Sequence, residues 1–478
     1  MKPTPQSLHV HFVAIGGTGM APLAALLAAD GQRVTGSDGE LYPPMSTLLA
    51  AAGIRPYVGY DAAHLAPAPD LVVVGNAVRR DNPEAVECAR LGLPRLSMAE
   101  ALARFFLADR RPLVVAGTHG KTTTTALAAW ALTAAGRDPG YLVGGVQLDL
   151  GASFHRGGGE RFVVEGDEYN AAYFDRGAKF LHYRPETAIV TSVEYDHADL
   201  YPDAAAFRDA FRRFVALVPP GGRLVLCGDS DEVRELAAAA RTAVVFYGER
   251  NDNDVTFAAP PRADERGSSF VVRERSGGEH AARLGVWGLH NASNALAVWA
   301  ALRGDGLAAE TIAAAFARFR GVKRRQELVG EAGGISVIDD FAHHPTAVAA
   351  TLAGLRQRFP PRRLVVAFEP RSLTAGRAFF LDGYRRAFLA ADRVLLAPIF
   401  HRDRLAPEDR LDLDRLAADL TAAGVATRAC ASVDEVASEL LTTARGGDVL
   451  VTMSSGSFSG LAGRLAAELV ASAQSKSN

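Results

Sequence analysis

The sequence predicts an α/β protein in which helices cover parallel β-sheets, arranged as several domains. Short apolar runs rich in β-branched residues alternate with amphipathic Ala/Leu stretches along almost the whole chain, which is typical of stacked strand–helix units. At about 150 residues per domain, a chain of 478 residues is long enough for three domains. Hydrophobic residues make up 48% of the chain, which supplies enough apolar surface for globular cores.

Composition and charge exclude several classes of protein. The formal net charge of −2 gives no electrostatic basis for binding nucleic acid or an anionic membrane. The three cysteines, Cys88, Cys227 and Cys430, are too widely spaced for a zinc knuckle or a disulfide framework, and they fit a reducing compartment. No signal-peptide pattern follows Met1, and no apolar stretch reaches membrane-spanning length. We therefore expect a cytoplasmic protein that binds neither nucleic acid nor membrane.

The first predicted domain covers residues 1–110 and begins with a strand, a glycine turn and a helix. Gly16, Gly17 and Gly19 lie in that turn. Pro22 stands where a dinucleotide fingerprint would have its third glycine, which disfavours a nicotinamide site. The predicted elements of this domain are strands over 9–15, 33–36 and 71–74 and a helix over 21–29.

The second predicted domain, residues 111–320, carries the most specific motif of the chain. The motif follows an apolar strand over 113–116 and precedes a helical stretch over 126–135, so its backbone N–H groups and the helix N-terminus are directed at a phosphate. Lys121 can then reach the β- and γ-phosphates, and the Thr122 hydroxyl can bind Mg²⁺. Val115 replaces the first glycine of a strict P-loop. The motif consists of Gly117, Thr118, His119, Gly120, Lys121, Thr122 and Thr123.

Carboxylate and imidazole groups follow two further strands of the same domain. Glu165 follows a strand over 161–164, and His197 follows a strand over 188–192. The carboxyl ends of parallel strands meet at one edge of a sheet, where α/β proteins bind ligands. Each residue taken singly is equally consistent with a solvated loop, but beside a phosphate loop the pair indicates ligands for a metal ion.

The third predicted domain covers residues 321–478. A hinge near Arg320 and Gly321 would let it close over a nucleotide bound to the second domain. Its strands are predicted over 335–339, 364–368, 393–396 and 449–452, with helices between them.

Taken in order along the chain, these motifs resemble the Mur ligases. The resemblance covers nearly the whole chain. It implies an α/β architecture of three domains: a Rossmann-like N-terminal domain for a UDP-sugar, a P-loop-type central ATPase domain, and a Rossmann-like C-terminal domain that closes over ATP. The residues that carry it are the phosphate loop at 117–122, Glu165, Asp196-His197, His290-Asn291-Ala292-Ser293-Asn294, Arg325 and Asp339-Asp340.

The resemblance also implies roles for individual residues and the cofactors ATP and Mg²⁺. Lys121 and Thr122 would serve the phosphates and Mg²⁺, while Glu165 and His197 would hold metal. Asn294 would contact adenine, Arg325 a phosphate and Asp340 the ribose. The residues implied for the UDP-sugar are Gly16, Gly17, Thr18, Gly19, Ser37 and Asp38.

Within the family, the chain resembles the branch that acts on UDP-N-acetylmuramate. The glycine turn at 16–20 and the segment 339–345, with adjacent His343 and His344, carry this resemblance. We expect an ATP-dependent ligase that activates the muramate carboxylate as an acyl phosphate and joins it to the tripeptide L-Ala-γ-D-Glu-meso-diaminopimelate, in peptidoglycan recycling. The segments that resemble the tripeptide-adding members are 34–38, 42–49, 167–175, 179–183, 322–325 and 368–372.

Two further roles follow from the expected chemistry. The attacking amine must lose a proton, and His197, His343 and His344 are the candidate bases because imidazole titrates near neutral pH. The sequence does not choose among them, and His344 is equally consistent with the start of a helix. Arg371 is the candidate clamp for a peptide carboxylate, because a guanidinium matches carboxylate geometry. A surface arginine at a proline turn is an equal alternative.

Three other functions stay open. The nearest is a ligase of the same branch that adds L-alanine to UDP-N-acetylmuramate. A nicotinamide oxidoreductase would place Asp38 on the cofactor ribose. A P-loop ATPase or binding module would hydrolyse or bind nucleotide without ligase activity.

Overall fold

A computed structural model describes residues 7–195 and 200–475 of the chain. Its strands form three large sheets, one within each predicted domain, and one small two-stranded sheet. Within the described residues, the helices are too short or too polar to cross a membrane. The predicted α/β architecture of three domains is confirmed, whereas the exact boundaries at 110/111 and 320/321 stay predictions.

The N-terminal sheet has five parallel strands in the order β3-β2-β1-β4-β5. The order reverses between β1 and β4, and such a reversal opens a crevice at the carboxyl ends of the strands. The strands are β1 (His9–Val13), β2 (Arg33–Asp38), β3 (Tyr57–Val58), β4 (Leu71–Val74) and β5 (Arg95–Ser97). The helices are α1 (Met20–Ala29), α2 (Met45–Ala51), α3 (Pro83–Arg90) and α4 (Met98–Leu102).

The central domain is built on the largest sheet, whose path runs β16-β17-β15-β14-β13-β12-β6-β9-β7-β8, with β18 paired to β17. Strands β15 to β7 along this path are parallel and mostly buried, and antiparallel strands extend both ends. The strands are β6 (Arg111–Ala116), β7 (Gly140–Leu142), β8 (Phe154–His155), β9 (Arg161–Gly166), β10 (Asn170–Ala172), β11 (Asp175–Ala178), β12 (Thr187–Val190), β13 (Arg223–Cys227), β14 (Val244–Gly248), β15 (Val255–Phe257), β16 (Arg262–Asp264), β17 (Gly267–Glu274) and β18 (Glu279–Leu284). The helices are α5 (Lys121–Ala134), α6 (Ala204–Val215), α7 (Asp231–Arg234), α8 (Leu289–Gly304) and α9 (Ala309–Phe316).

The C-terminal sheet has the order β19-β20-β24-β21-β22-β23, and only its edge strand β19 is antiparallel among the described strands. The strands are β19 (Glu327–Ala332), β20 (Ile335–Asp340), β21 (Arg363–Phe368), β22 (Arg393–Leu396), β23 (Ala426–Ala429) and β24 (Asp448–Met453). The helices are α10 (Pro345–Arg358), α11 (Leu381–Phe388), α12 (Leu413–Ala422), α13 (Val433–Thr443) and α14 (Leu461–Ser475).

Two element boundaries differ from the prediction in ways that affect the site. Strand β2 does not stop before Ser37 but continues through Asp38, because these residues pair with β1 and β3. Helix α5 begins at Lys121 and not at 126, so the lysine of the phosphate loop is the first helical residue. The run of threonines hid this start, since β-branched polar residues are weak helix formers.

The buried carboxylate of Glu84, on α3, contacts side chains of strands β1 and β2. Its side chain is fully buried and accepts a hydrogen bond from Ser37 Oγ at 2.5 Å. Ring nitrogens of His64 and His11 lie 2.7 and 3.3 Å from its oxygens. Burial by itself would raise the pKa of Glu84, but these hydrogen bonds outweigh it and hold the pKa below its usual value. Folding therefore stabilises the ionised form.

We expect Glu84→Ala to lower the free energy of unfolding of the N-terminal domain by about 3–5 kcal/mol, because two imidazoles and a hydroxyl lose their common acceptor. Since folding lowers this pKa from 4.5, the stabilisation is present above pH 4.5 and is lost as the pH falls through the folded value. Hydrogen exchange of the β1 and β4 amides measures the change. The control is Glu87→Ala on the same helix. Glu87 pairs with exposed Arg90 at the surface, so loss of this pair should leave exchange unchanged. Equal protection in both variants would contradict the expectation.

Candidate active site

One cavity of about 810 Å³ lies where the three sheets present the carboxyl ends of their strands. All three domains contribute to its wall, so a ligand inside it contacts the whole molecule. Its N-terminal wall includes Gly17, Thr18 and Gly19; its central wall includes the phosphate loop, Glu165, Glu168 and Asn294; its C-terminal wall includes Arg325, Asp340, His343 and His344.

The phosphate loop connects β6 to α5, and β6 lies between β9 and β12 at the centre of the sheet. Gly117 has φ +135° and Gly120 has φ +80°, conformations that side chains disfavour. A Cβ at Gly117 would collide with Thr191 Oγ1, and one at Gly120 would lie 2.7 Å from Asn294 Oδ1. Both positions therefore require glycine, and the turn directs the N-terminus of α5 into the cavity.

Lys121 extends from the first turn of α5 over the loop. Its Nζ lies 2.9 Å from a carboxylate oxygen of buried Glu168 and donates to the Gly117 carbonyl at 2.6 Å. Burial would lower the pKa of Lys121, but the carboxylates of Glu168, Asp167 and Glu165 outweigh burial and raise it. The lysine is therefore held as a cation beside the loop.

Glu165, Thr122 and Arg325 form a chain of polar groups across the loop. The Thr122 hydroxyl donates to Glu165 Oε1 at 3.0 Å and accepts from Arg325 Nη2 at 3.1 Å. The Gly144 amide donates to the other Glu165 oxygen at 2.8 Å. A carboxylate and a hydroxyl beside a phosphate loop are the oxygen donors that Mg²⁺ prefers, so these residues fit that ion. Arg325 comes from the start of the C-terminal domain and stacks on Phe341 at 4.5 Å.

Another part of the cavity wall is formed by α8 and by the end of β20. Asp340 is buried and accepts hydrogen bonds from the Gln326 and Ala342 amides, each at 2.7 Å. Burial raises the pKa of Asp340 in spite of Arg325. Asn294 lies on α8 against the phosphate loop. On the same helix, burial lowers the pKa of His290 to about 4, so His290 is neutral near pH 7.

Glu194 connects the central domain to the C-terminal domain beside the cavity. Its Oε2 accepts a hydrogen bond from the Thr346 hydroxyl at 2.8 Å and lies 3.3 Å from His119 Nε2 and 3.8 Å from His344 Nδ1. Burial would raise the pKa of Glu194, but the contacts with His119 and Thr346 lower it to about 2. The sequence indicated only a loop here, because the partner residues are 75 and 152 positions away.

The N-terminal glycine turn faces the same cavity through Gly17, Thr18 and Gly19. Behind it, Asp38 accepts hydrogen bonds from the Gly16 amide at 2.7 Å and the Tyr60 hydroxyl at 3.0 Å. The structure therefore places the predicted UDP-sugar residues of this turn within reach of the phosphate loop. That they bind a UDP-sugar stays a prediction.

Of the predicted site residues that the structure describes, five are not among those that line the cavity: Gly16, Ser37, Asp38, Gly117 and Arg371. Ser37 is fully buried and donates to Glu84, because β2 continues through it. Arg371 stacks on Phe400 at 3.8 Å behind the cavity wall, which its neighbour Ser372 lines. His197 lies outside the described residues, so its metal and catalytic roles stay predictions.

Glu168 and Glu194 line the cavity although the sequence analysis assigned neither a role. Both follow strands of the central sheet, β9 and β12, just as Glu165 ends β9. The signal that identified Glu165 applies to them as well, because side chains after neighbouring parallel strands meet at one edge.

Family models match nearly the entire chain in three consecutive parts. The Mur ligase catalytic domain matches residues 9–110, the Mur ligase middle domain residues 115–302, and the Mur ligase glutamate ligase domain residues 324–456. The chain belongs to the Mur ligase family. It is therefore an ATP-dependent ligase that forms amide bonds, and the predicted dependence on ATP is confirmed. The nicotinamide alternative and the ATPase without ligase activity are excluded.

Curated relatives of the chain include ligases that add different amines to UDP-N-acetylmuramate. The Escherichia coli (strain K12) UDP-N-acetylmuramate–L-alanyl-γ-D-glutamyl-meso-2,6-diaminoheptandioate ligase is 37% identical over 95% of this chain and 96% of its own length. The UDP-N-acetylmuramate–L-alanine ligase of Burkholderia pseudomallei (strain 668) is 38% identical over 96% of this chain and 97% of its own.

Solved structures agree with this placement in the Mur ligase family. A murein peptide ligase from Psychrobacter arcticus 273-4 is 36% identical, with a TM-score of 0.73 over 97% of this chain and 99% of that one. A UDP-N-acetylmuramate–alanine ligase from Thermotoga maritima has a TM-score of 0.80 over 97% of this chain and all of that one, but at 24% identity it shows the shared fold alone.

Proposed function

We propose that the chain is a murein peptide ligase, which joins UDP-N-acetylmuramate to L-Ala-γ-D-Glu-meso-diaminopimelate in peptidoglycan recycling. The observation that carries the proposal is that the N-terminal glycine turn, the phosphate loop and the C-terminal domain meet in one cavity. A nucleotide on the loop would present its γ-phosphate toward the turn, where a sugar acid held by the first domain would meet it.

The choice of the tripeptide over alanine does not rest on overall identity. Relatives with either activity are 37% and 38% identical to the chain. The proposal is supported by the segments that resemble the tripeptide-adding members, including Glu369 to Ser372 at the C-terminal wall. There Arg371 lies 3.5 Å from Glu369 and stacks on Phe400. Of these four residues only Ser372 lines the cavity, and Arg371 is held behind the wall by buried Glu369, so its role as a peptide clamp stays a prediction.

In the first step, an oxygen of the muramate carboxylate attacks the γ-phosphorus of ATP. The bond to the β-γ bridging oxygen breaks, ADP leaves, and an acyl phosphate forms. Phosphoryl transfer depends mainly on placement and neutralisation of charge. Lys121 would neutralise the transferring group from the loop, and Arg325 would do so from the C-terminal domain. Mg²⁺, held by Thr122 and Glu165, would supply further neutralisation of the phosphate oxygens.

In the second step, the free amine of the peptide attacks the acyl carbon. A tetrahedral intermediate forms, the C–O bond to phosphate breaks, and inorganic phosphate leaves with the carboxylate oxygen. A base takes the proton of the amine, and His197, His343 and His344 remain the candidates. His344 lines the cavity and accepts a hydrogen bond from the Thr346 amide at the start of α10. Closure of the C-terminal domain would exclude water from the acyl phosphate.

Competition between amines tests the substrate. With UDP-N-acetylmuramate and ATP, we expect a kcat/KM for phosphate release at least about 10³-fold higher with the tripeptide than with L-alanine, because alanine lacks the remote groups whose binding would position the amine. Faster turnover with alanine would overturn the tripeptide assignment and leave the ligase chemistry intact.

Asn294→Ala tests the nucleoside side of the cavity. We expect the KM for ATP to rise about tenfold with kcat within about twofold, because the amide would contact adenine and not the transferring charge. Steady-state kinetics with saturating sugar and peptide measure both constants, and thermal unfolding controls for folding. A loss of kcat alone would contradict a role in adenine binding and would point to distortion of the phosphate loop at Gly120.

A further inference from the structure

Two imidazoles and a carboxylate meet at the boundary between the central and C-terminal domains. They belong to His119, Glu194 and His344, and one donor atom from each lies within 4.8 Å of the other two. The rings of His119 and His344 are 4.7 Å apart between centroids. We refer to these three residues as the boundary cluster.

The boundary cluster is distinct from the proposed Mg²⁺ ligands. It shares no residue with Thr122 and Glu165, and its composition is different. Mg²⁺ prefers oxygen donors in an octahedral arrangement, whereas two imidazoles and one carboxylate are a set that Zn²⁺ binds. The donor atoms of the boundary cluster therefore favour Zn²⁺ over the Mg²⁺ that accompanies ATP.

The existing distances are close to those of a zinc site. Ligands in a tetrahedral zinc site, with bonds of about 2.0–2.1 Å, are separated by about 3.3–3.4 Å. The Glu194 oxygen is already 3.3 Å from His119 Nε2 and 3.8 Å from His344 Nδ1, which would exchange its hydrogen bond from the Thr346 amide for the bond to the ion. The Glu194 side chain is 40% exposed, so an ion can enter from solvent and keep a water as fourth ligand.

We propose that the boundary cluster is a Zn²⁺ site that locks the C-terminal domain onto the central domain. His119 is on the phosphate loop and Glu194 follows β12, while His344 caps α10 of the C-terminal domain. A bound ion joins the two domains through coordination bonds. Exchange of nucleotide and products requires the domains to separate, so Zn²⁺ slows turnover that Mg²⁺ supports.

A second cluster of possible metal ligands serves as an internal comparison. Glu100, Asp175 and His182 also lie within 4.8 Å of one another, but they offer only one imidazole. This cluster should bind Zn²⁺ more weakly than the boundary cluster.

Binding to the tag-free, full-length protein tests the site without substrates. Equilibrium dialysis against Zn²⁺, followed by elemental analysis, should give one tightly bound ion per chain. Co²⁺ in its place should give the visible absorption of a four-coordinate site. His344→Ala and Glu194→Gln should each weaken Zn²⁺ binding by about 10–100-fold or more. Loss of a residue that only hydrogen-bonds to a metal ligand already has an effect of this size. His182→Ala is the matched control and should bind like the unchanged protein.

A second readout is the ratio of ligase rates with and without Zn²⁺ at constant MgATP, taken for each protein against its own zinc-free rate. Inhibition should be strong in the unchanged protein and at least tenfold weaker in Glu194→Gln. Absence of a tight ion, or a tight ion that both boundary variants retain, would overturn the proposal. Because binding is measured without sugar or peptide, that result would leave the proposed ligase function untouched.

Discussion

Replacing Lys121 with alanine should reduce kcat for ATP-dependent ligation by about 10³-fold or more. The lysine is the cation of the phosphate loop, and loss of one group that stabilises transferring phosphoryl charge has effects of this size. ADP formation coupled to amine consumption measures the change. Lys323→Ala removes an exposed lysine next to the predicted hinge and should leave kcat unchanged.

The structure requires a control for folding in that experiment. Lys121 pairs with the buried carboxylate of Glu168, and removing one partner of a buried pair destabilises a protein. The double variant Lys121→Ala/Glu168→Gln removes both charges, so it should regain thermal stability and remain inactive. If it regained activity, or if Lys121→Ala turned over ATP normally, the role of Lys121 would be wrong.

The second large effect is expected at Glu165. Glu165→Gln keeps the shape of the side chain and its contact with the Gly144 amide but removes the charge. We expect kcat to fall roughly 10²–10³-fold at ordinary Mg²⁺. The Mg²⁺ concentration for half-maximal rate should rise by about tenfold or more, because the anionic oxygen is lost as a metal ligand.

A titration of rate against Mg²⁺ at fixed free ATP separates this role from a structural one. Glu186→Gln is the matched control. Glu186 precedes β12, so it lies at the amino end of that strand, away from the edge that forms the cavity, and it pairs with Arg111. Its Mg²⁺ dependence should match that of the unchanged protein. An unaltered Mg²⁺ requirement in Glu165→Gln would show that Glu165 supports Thr122 and does not hold the ion.

The sequence predicted the parallel core of the fold because buried strands are short apolar runs with recognisable ends. The strands over 71–74 and 364–368 were predicted with the bounds or nearly the bounds observed. Edge strand β19 was not predicted, since its residues are largely exposed and its partner β20 follows a turn of two glycines. The start of α5 was missed for a local reason, its run of threonines.

The site was predictable to the extent that single motifs define it. The phosphate loop and the carboxylate at the end of β9 follow from strand–loop–helix context within one domain. Contacts between domains do not, because nothing in the spacing of the chain relates Arg325 to Thr122 or Glu194 to Thr346. Ser37 was predicted to bind the UDP-sugar, but the strand register places it inside the sheet. There its hydroxyl donates a hydrogen bond to buried Glu84.

Transfer of oxygen from the sugar acid to phosphate tests most directly the claim that ATP activates the muramate carboxylate in this cavity. UDP-N-acetylmuramate with ¹⁸O at both oxygens of its lactoyl carboxylate is incubated with ATP, Mg²⁺ and the tripeptide, and the released phosphate is analysed by mass spectrometry. An acyl phosphate intermediate predicts one ¹⁸O atom in each phosphate formed. Amide formation with unlabelled phosphate would contradict that claim.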